Sequence, residues 1–317
     1  MEDKIIGVKG FNKDMTCKGM QYEEGKTYKM EEKPKCCDRG YHFCENPIDC
    51  LRYYSPDTSV YHKVEALGDI VRDTDDTKIA TNEIKIGAKI DFQTMAKMAT
   101  DFIFKHCKKG KEGANKRIAY SVASNTGDYS IASNTGYRSV VSNTGNYSVA
   151  SNAGYCSVSS NTGDYSVASN TRDYSIASNT GDYSVASNTG DSSVSSNTGE
   201  YSVASNTGDY SVSINTGNES VTSNTGNYSV SINTGDNSIA SNTGIKGISS
   251  NLGIKGKSSG KKGTWLVLAE WIFNDDEMEY EVKEIKTVVV DGKKIKEDTY
   301  YSLEDGKFVE KGAVEDD

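Results

Sequence analysis

The chain has 317 residues, of which only 35% are hydrophobic, with 30 Gly, 3 Pro and a formal net charge of −9. A soluble domain of ordinary composition is about 45–50% apolar with Gly counted, so the composition argues against one conventional core of this size and, with Pro so scarce, against collagen-like or proline-rich chains. No apolar run approaches the ~18–20 residues of a membrane helix, and the opening MEDK is no signal sequence, so the expectation is a soluble intracellular chain without a membrane partner.

Residues 1–91 read as a small α+β domain. Gly10 to Met30 predicts a hairpin around Glu24-Gly25, and Gly40 to Cys44 a strand. Asn46-Pro47 opens a helix through Leu51, Tyr53 and Tyr54, with Pro at an allowed early position. Alternating strands follow at 60–70 and 79–90. Five of the seven Cys fall in the first 50 residues, and reduced thiols are the default without a secretion signal. Cys36, Cys37, His42, Cys44 and Cys50 crowd together and raise a zinc site. Their spacing lacks the paired C-x-x-C-like hooks of structural zinc, so core thiols are the preferred reading and no cofactor is expected. With three His in the whole chain, imidazole catalysis has few candidates.

Residues 92–119 combine a helical spacing of Phe92, Met95, Ala99, Phe102 and Ile103 with a basic belt of Lys105, Lys108, Lys109, Lys111, Lys116 and Arg117. This segment is expected to cap the first coil of the repeat array beginning at Tyr120, whose open edge would otherwise invite aggregation.

From Tyr120 to Ile254 the chain consists of fifteen consecutive nonapeptides with consensus Y-S-V-A-S-N-T-G-D. Self-similarity at so short a period means a stacked solenoid, because one nonad cannot bury an apolar face alone. Y-S-V-A-S is a β-forming run and N-T-G-D is turn chemistry. The structural positions are position three (Val122, Val167, Val203), expected to be the core; position six (Asn125, Asn170, Asn206), expected to form an Asn ladder; and position eight (Gly127), expected to supply positive φ at the corner. Position four is Ala in most even-numbered nonads and mostly Ser in odd-numbered ones, and Ile214 and Ile232 lie 18 residues apart. The coil is therefore expected to hold 18 residues, with each class of nonad stacking on itself. The small Ala and Ser side chains imply a thin interior.

Two rows could carry binding. Tyr129, Tyr147, Tyr165, Tyr183 and Tyr201 at position one could form an aromatic ladder for a glycan or protein partner. Asp164, Asp182 and Asp209 belong to an acidic row at position nine that could imitate phosphates, although it is sparse beside DNA's one charge per ~1.7 Å. The acidic whole argues against nucleic acid as a partner. Residues 255–263 read as a basic linker. Residues 264–317 read as a β-rich cap with turns at Asp291-Gly292 and Asp305-Gly306. The expected fold class is mainly β: a parallel β-solenoid of nonapeptides between an α+β domain and a β cap.

Several resemblances bear on these residues. The nonapeptide period resembles the calcium-binding β-rolls of secreted toxins, but N-T-G-D lacks their G-G-x-G-x-D run, so calcium is disfavoured. The Y-S-V-A strings are similar to head repeats of trimeric autotransporter adhesins, without the accompanying stalk heptads or anchor. The stretch Gly40 to Glu45, Tyr53 and Val64 to Asp69 resembles a strand–helix–strand portion of ADP-ribosyltransferases. That resemblance implies His42 in the place of a nicotinamide-stacking Tyr, Cys50 in that of a helix Ser, and Glu83 as catalytic acid. Its first motif is missing, so an enzyme is not the expectation. Finally, FNKDMTCKGMQYEEGKTY, CDRGYHFCENPIDCLRYY, VEALGDIV, WLVLAEW and DGKKIKEDTYY resemble an uncharacterised phage and prophage family. That resemblance implies an origin in a bacteriophage or prophage and no mechanism. The functional expectation is a non-enzymatic binding protein in the host cytoplasm, with the solenoid as spacer or display surface for an unknown host protein. A glycan-contacting virion appendage and an acidic DNA mimic are the alternatives, and a homo-oligomer is compatible with each.

Overall fold

A computed structural model of the protein describes residues 5–56, 58–73, 77–106 and 120–311, apart from the side chains at 93, 100 and 103–106. The described chain forms two compact units that meet in sequence between Phe102 and Ile103.

The first unit is built on a seven-stranded antiparallel sheet. Its strands are β1 (Ile5–Asn12), β4 (Thr27–Lys29), β5 (Tyr41–Cys44), β6 (Ser59–Ala66), β7 (Ile70–Arg72), β8 (Lys78–Thr81) and β9 (Glu83–Ile90); β2 (Thr16–Cys17) and β3 (Met20–Gln21) form a separate small hairpin. The order is β4-β9-β6-β1-β5-β8-β7. Only Asn82 separates β8, which pairs with β5, from β9, which pairs with β6, so the pairings among β1, β5, β8–β9 and β6 close into a ring. Phe11, Tyr22, Tyr41, Phe43, Val64, Ile79, Ile84 and Ile86 fill its core. The helix expected from Asn46-Pro47 is a six-residue 3₁₀ turn, Pro47–Arg52, with the Asn46 side chain accepting the Ile48 N–H. Ser55-Pro56 follows, and the residue before a proline is pushed out of helical conformation, so the turn cannot extend. Helix α1 (Phe92–His106) follows β9; Phe92 meets the Tyr61 ring edge-on at 5.7 Å, and Met95, Ala96 and Ala99 are buried. The segment 107–119, with the rest of the basic belt and its expected capping role, lies outside the described residues.

The second unit is a β-solenoid of 18-residue coils. Each nonad contributes one four-residue strand at positions three to six, from Val122–Asn125 to Ile248–Asn251. Odd-numbered nonads pair in parallel register with odd ones (Val122↔Val140), and even with even (Ile131↔Val149), giving two stacked sheets.

The interior differs from the expectation. Positions two, four and six point inward: Ala168, Ala177 and Ala186 touch across the two sheets, and the position-two Ser and position-six Asn are buried beside them. Position three therefore faces out. Val149, Val167, Val185, Val203 and Val221 in the even sheet are nonetheless fully buried, whereas Val122 is exposed and the rest of its odd-sheet row is exposed or half-buried. The row between the two sheets is mainly Ala and Ser, so the expected burial of position three holds for Val167 and Val203 in the even sheet and fails for Val122 in the odd one. A polar interior of this kind holds because most of its groups find a partner in the stack; Oδ1 of Asn143, Asn161, Asn215 and Asn233 and Oγ of Ser249 and Ser258 are the buried exceptions among the described residues. Ser166 N–H donates to Ser184 Oγ 3.2 Å away in the next coil, while Ser166 Oγ donates to Asp164 O at 3.1 Å. Asn170 Nδ2 donates to Ile176 O at 2.7 Å and to Asn188 Oδ1 at 2.8 Å, so the Asn ladder is present. Asn125, in the first coil, keeps one such bond, to Ile131 O at 2.9 Å.

The corner also differs. Positive φ falls on position one, at Tyr, Arg138, Cys156, Ser192, Glu219, Asn237 and Lys246 alike (φ 51–61°), and not on the position-eight Gly. The Gly is required by stacking instead: a Cβ on Gly145 would lie 2.3 Å from Gly127 O of the coil beneath. Arg172 breaks this rule one coil above Gly154, and its turn opens into a bend; its guanidinium sits 5.4 Å from the Tyr155 ring centroid. Arg172→Gly is expected to stabilise the solenoid by about 1 kcal/mol, the relief of overpacking exceeding the loss of one exposed cation–π contact. A rise in thermal midpoint checks it; a fall would mean that the guanidinium contact dominates.

The ladder does not stop at Ile254. The expected basic linker contains strand Lys257–Gly260, which pairs in parallel with Ile239–Asn242, and Trp265–Asn274 pairs in parallel with Ile248–Asn251. Gly256 and Ser258 keep the small residues of positions two and four, which lets this degenerate copy continue the stack. Each sheet then ends in antiparallel strands: Glu279–Val289 on one, Tyr301–Glu304 and Lys307–Glu310 on the other, over a core of Leu266, Leu268, Val290, Ile295, Tyr301 and Leu303.

Candidate functional site

The first unit holds a cleft of about 560 Å³, in the range of small-molecule sites. It is assembled from β1, the β2–β3 hairpin, β5, the 3₁₀ turn with its following loop, and β8. Gly10 makes room for one wall: a Cβ there would lie 2.4 Å from the Tyr54 ring. Tyr22, Tyr41, Phe43, Tyr53 and Tyr54 supply aromatic surface, and the cationic lining residues are Lys9, Lys18 and Lys78.

Lys9 sits in the middle of β1 and is only 4% exposed. Its ammonium donates to His42 O at 3.0 Å and to Cys17 Sγ at 3.5 Å, and lies 5.3–5.8 Å from the ring centroids of Phe11, Tyr22 and Tyr54. Cys17 Sγ also lies 2.9 Å from Tyr54 Oη. Burial pushes the Tyr22 and Tyr54 hydroxyls well above the usual phenol range, so both stay protonated. Lys78 pairs with Asp73 at 2.9 Å and stands over the Tyr53 ring at 4.5 Å.

The residues proposed from the sequence scatter around this cleft. His42 lines it, and its Nε2 accepts the Cys37 N–H at 3.1 Å. Burial, then the charges of Lys9, Lys18 and Lys78, hold its imidazolium pKa below the ordinary value. Glu83 does not line the cleft; it begins β9 and pairs with Lys29 at 2.9 Å. His42 and Glu83 thus do not share the cleft. The five-residue zinc set also divides. Cys36 and Cys37 gather on Asp73, with both thiols 3.5 Å from Asp73 Oδ2, while Cys44 and Cys50 are buried and Cys50 donates to Val8 O at 2.9 Å. The Cys36 thiol is pushed up to about 11 by burial and by its hydrogen bond to Asp73. Three donors are short of the four of a closed zinc site.

On the solenoid, Tyr129, Tyr147, Tyr165, Tyr183 and Tyr201 form a continuous ladder, rings 4.7–5.0 Å apart and within 3–5° of parallel. Interior rings are thereby faced on both sides by neighbouring rings, so their faces are not open to a sugar, and the Tyr201 hydroxyl donates to Glu219 at 3.2 Å. The position-nine acids tie one coil to the next: Asp164 Oδ1 accepts the Asp182 N–H, Asp182 Oδ1 the Glu200 N–H and Asp209 Oδ1 the Asn227 N–H, at 2.7–2.9 Å. These bonds give the Asp and Asn of this position a structural role between coils, although Tyr137, Tyr155, Ile245 and Ile254 at the same position show that an acceptor is not required in every coil.

Sequence reasoning missed Lys9, Tyr22, Tyr54 and Lys78. Only Lys9 left a local signal, as a charge inside the apolar strand run IIGVKGFN.

Residues 5–98 match a family described as a domain of unknown function (DUF7666), which contains every lining residue of the cleft. No curated protein and no solved structure matches the chain. No helix among the described residues is long and apolar enough to cross a membrane.

Proposed function

We propose that this is a phage- or prophage-encoded, non-enzymatic binding protein of the host cytoplasm, whose solenoid is a rigid spacer that pairs with a second copy through the outer face of its odd-numbered sheet. One observation carries the pairing. Val122, Val140, Val158, Ile176, Val194, Val212, Val230, Ile248 and Trp265 stand in register down that face, exposed or half-buried. At the ~4.8 Å strand spacing the row is about 38 Å long. Position five beside it carries only Ser and Ile through Ser250, so the face has no charge to repel another acidic chain. Val289 and Ile285 prolong the apolar surface at the C-terminal end. Contiguous apolar surface of this extent marks an interaction face, and a second copy offers ridges of identical spacing. The phage or prophage origin is supported by the resemblance of the flanking segments.

Sedimentation of the full chain tests it. The wild type is expected to dimerise, and the double variant Val140→Glu, Val212→Glu to raise the dissociation constant by more than about tenfold with unchanged circular dichroism, since burying unpaired charges in an interface is costly. Tyr165→Ala, away from the face, is expected to leave association unchanged. A wild type that stays monomeric at high micromolar concentration would refute the pairing.

A further inference from the structure

We propose that the cleft of the first unit binds a small aromatic anion, with Lys9 as the anchor for its charged group. The inference is independent of solenoid pairing and rests on an imbalance of charge inside an aromatic pocket. Removing an ammonium from water costs several kcal/mol unless it is paired. Lys9 has no carboxylate partner among the described residues; a carbonyl, a thiol sulfur and three rings are what surround it. Two of its three N–H donors are used, which leaves one for a ligand. Lys78 is neutralised by Asp73, but Lys18, at the exposed rim, adds a second cation, and no Asp or Glu lines the cleft. The excess positive potential is felt by His42, whose imidazolium is disfavoured by burial and by Lys9 and Lys18.

The remaining lining selects the other half of the ligand. Tyr22, Tyr41, Phe43, Tyr53 and Tyr54 present flat apolar surface, and Tyr53 and Tyr54 follow the 3₁₀ turn as consecutive residues. A planar ring fits among such walls, and a phosphate or carboxylate on it would reach the ammonium. A charge-assisted bond of this kind is roughly twice as strong as a neutral one. A bare inorganic anion would leave the aromatic walls unused, and a neutral ring would leave Lys9 uncompensated.

Titration calorimetry on the full chain with phenyl phosphate, phenol and inorganic phosphate separates these terms. Phenyl phosphate is expected to bind more than about tenfold tighter than either fragment, and Lys9→Met to remove that advantage while leaving phenol unchanged. Lys18→Glu, at the rim, is expected to weaken phenyl phosphate severalfold, and serves where Lys9→Met fails to fold. Equal affinity for phenol and phenyl phosphate, no heat with phenyl phosphate at millimolar concentration, or wild-type affinity in Lys18→Glu and in any folded Lys9→Met would each overturn the proposal.

Discussion

Replacing Asn206 by alanine is expected to destabilise the middle of the solenoid by about 3 kcal/mol, near the upper end for one buried hydrogen-bonding group. Asn206 is fully buried, and its amide closes three bonds at once. Nδ2 donates to Val212 O at 2.7 Å and to Ser213 Oγ at 2.9 Å, and Oδ1 accepts from Ser195 Oγ at 2.7 Å. Alanine leaves a carbonyl and two hydroxyls without that partner in a space too tight for bulk water. The matched control is Asn125→Ala in the first coil, where the side chain is half-buried and donates to Ile131 O alone; its expected cost is about 1 kcal/mol. Repeat arrays need not unfold in one step, so local amide-exchange protection at Val203 and Val221 is the direct measure. Equal loss in both variants would mean that the Asn ladder only decorates coils held by backbone pairing.

That contrast bears on what the sequence could disclose. The 18-residue coil was readable because position four alternates between classes, Ala168 and Ala186 against Ser159 and Ser195, and a class must stack on itself. Which parity faces inward was not readable. A strand's two faces are told apart by one apolar and one polar set. Here the bulkier apolar residue, Val, points away from the interior, buried in the even sheet and exposed or half-buried in the odd one, while Ala, Ser and Asn point in. The inversion is stable because the interior groups bond along the stack, a property of eighteen-residue separation that no single nonad contains. Residues 255–263 concealed their strand because they keep the small residues of the repeat but neither its Val nor its Asn. The cleft was hidden for another reason: His42 and Cys50 were noticed through local motifs, whereas Lys9, Tyr22, Tyr54 and Lys78 come together only when β1, β5 and β8 pair.

The sharpest test of the stacking geometry is a pair of identical substitutions at equivalent glycines. Gly208→Ala is expected to cost about 3 kcal/mol, the upper range for overpacking, and Gly127→Ala to stay within about 0.5 kcal/mol. In Gly208 the added Cβ would lie 2.2 Å from Gly190 O, a backbone atom fixed by its own coil, so the two coils must separate or the turn must open. In Gly127, at the first coil, the same Cβ meets nothing within 4 Å. Neither glycine has positive φ, so the comparison isolates contact between coils from backbone strain. The chain contains its own precedent in Arg172, whose turn opens into a bend, and that limits the penalty to a local distortion instead of collapse of the stack. Thermal midpoints of the two variants decide the matter. A large loss in both would return the glycine to a conformational role at the corner, and no loss in either would mean that the coils can part by several tenths of an ångström at little cost.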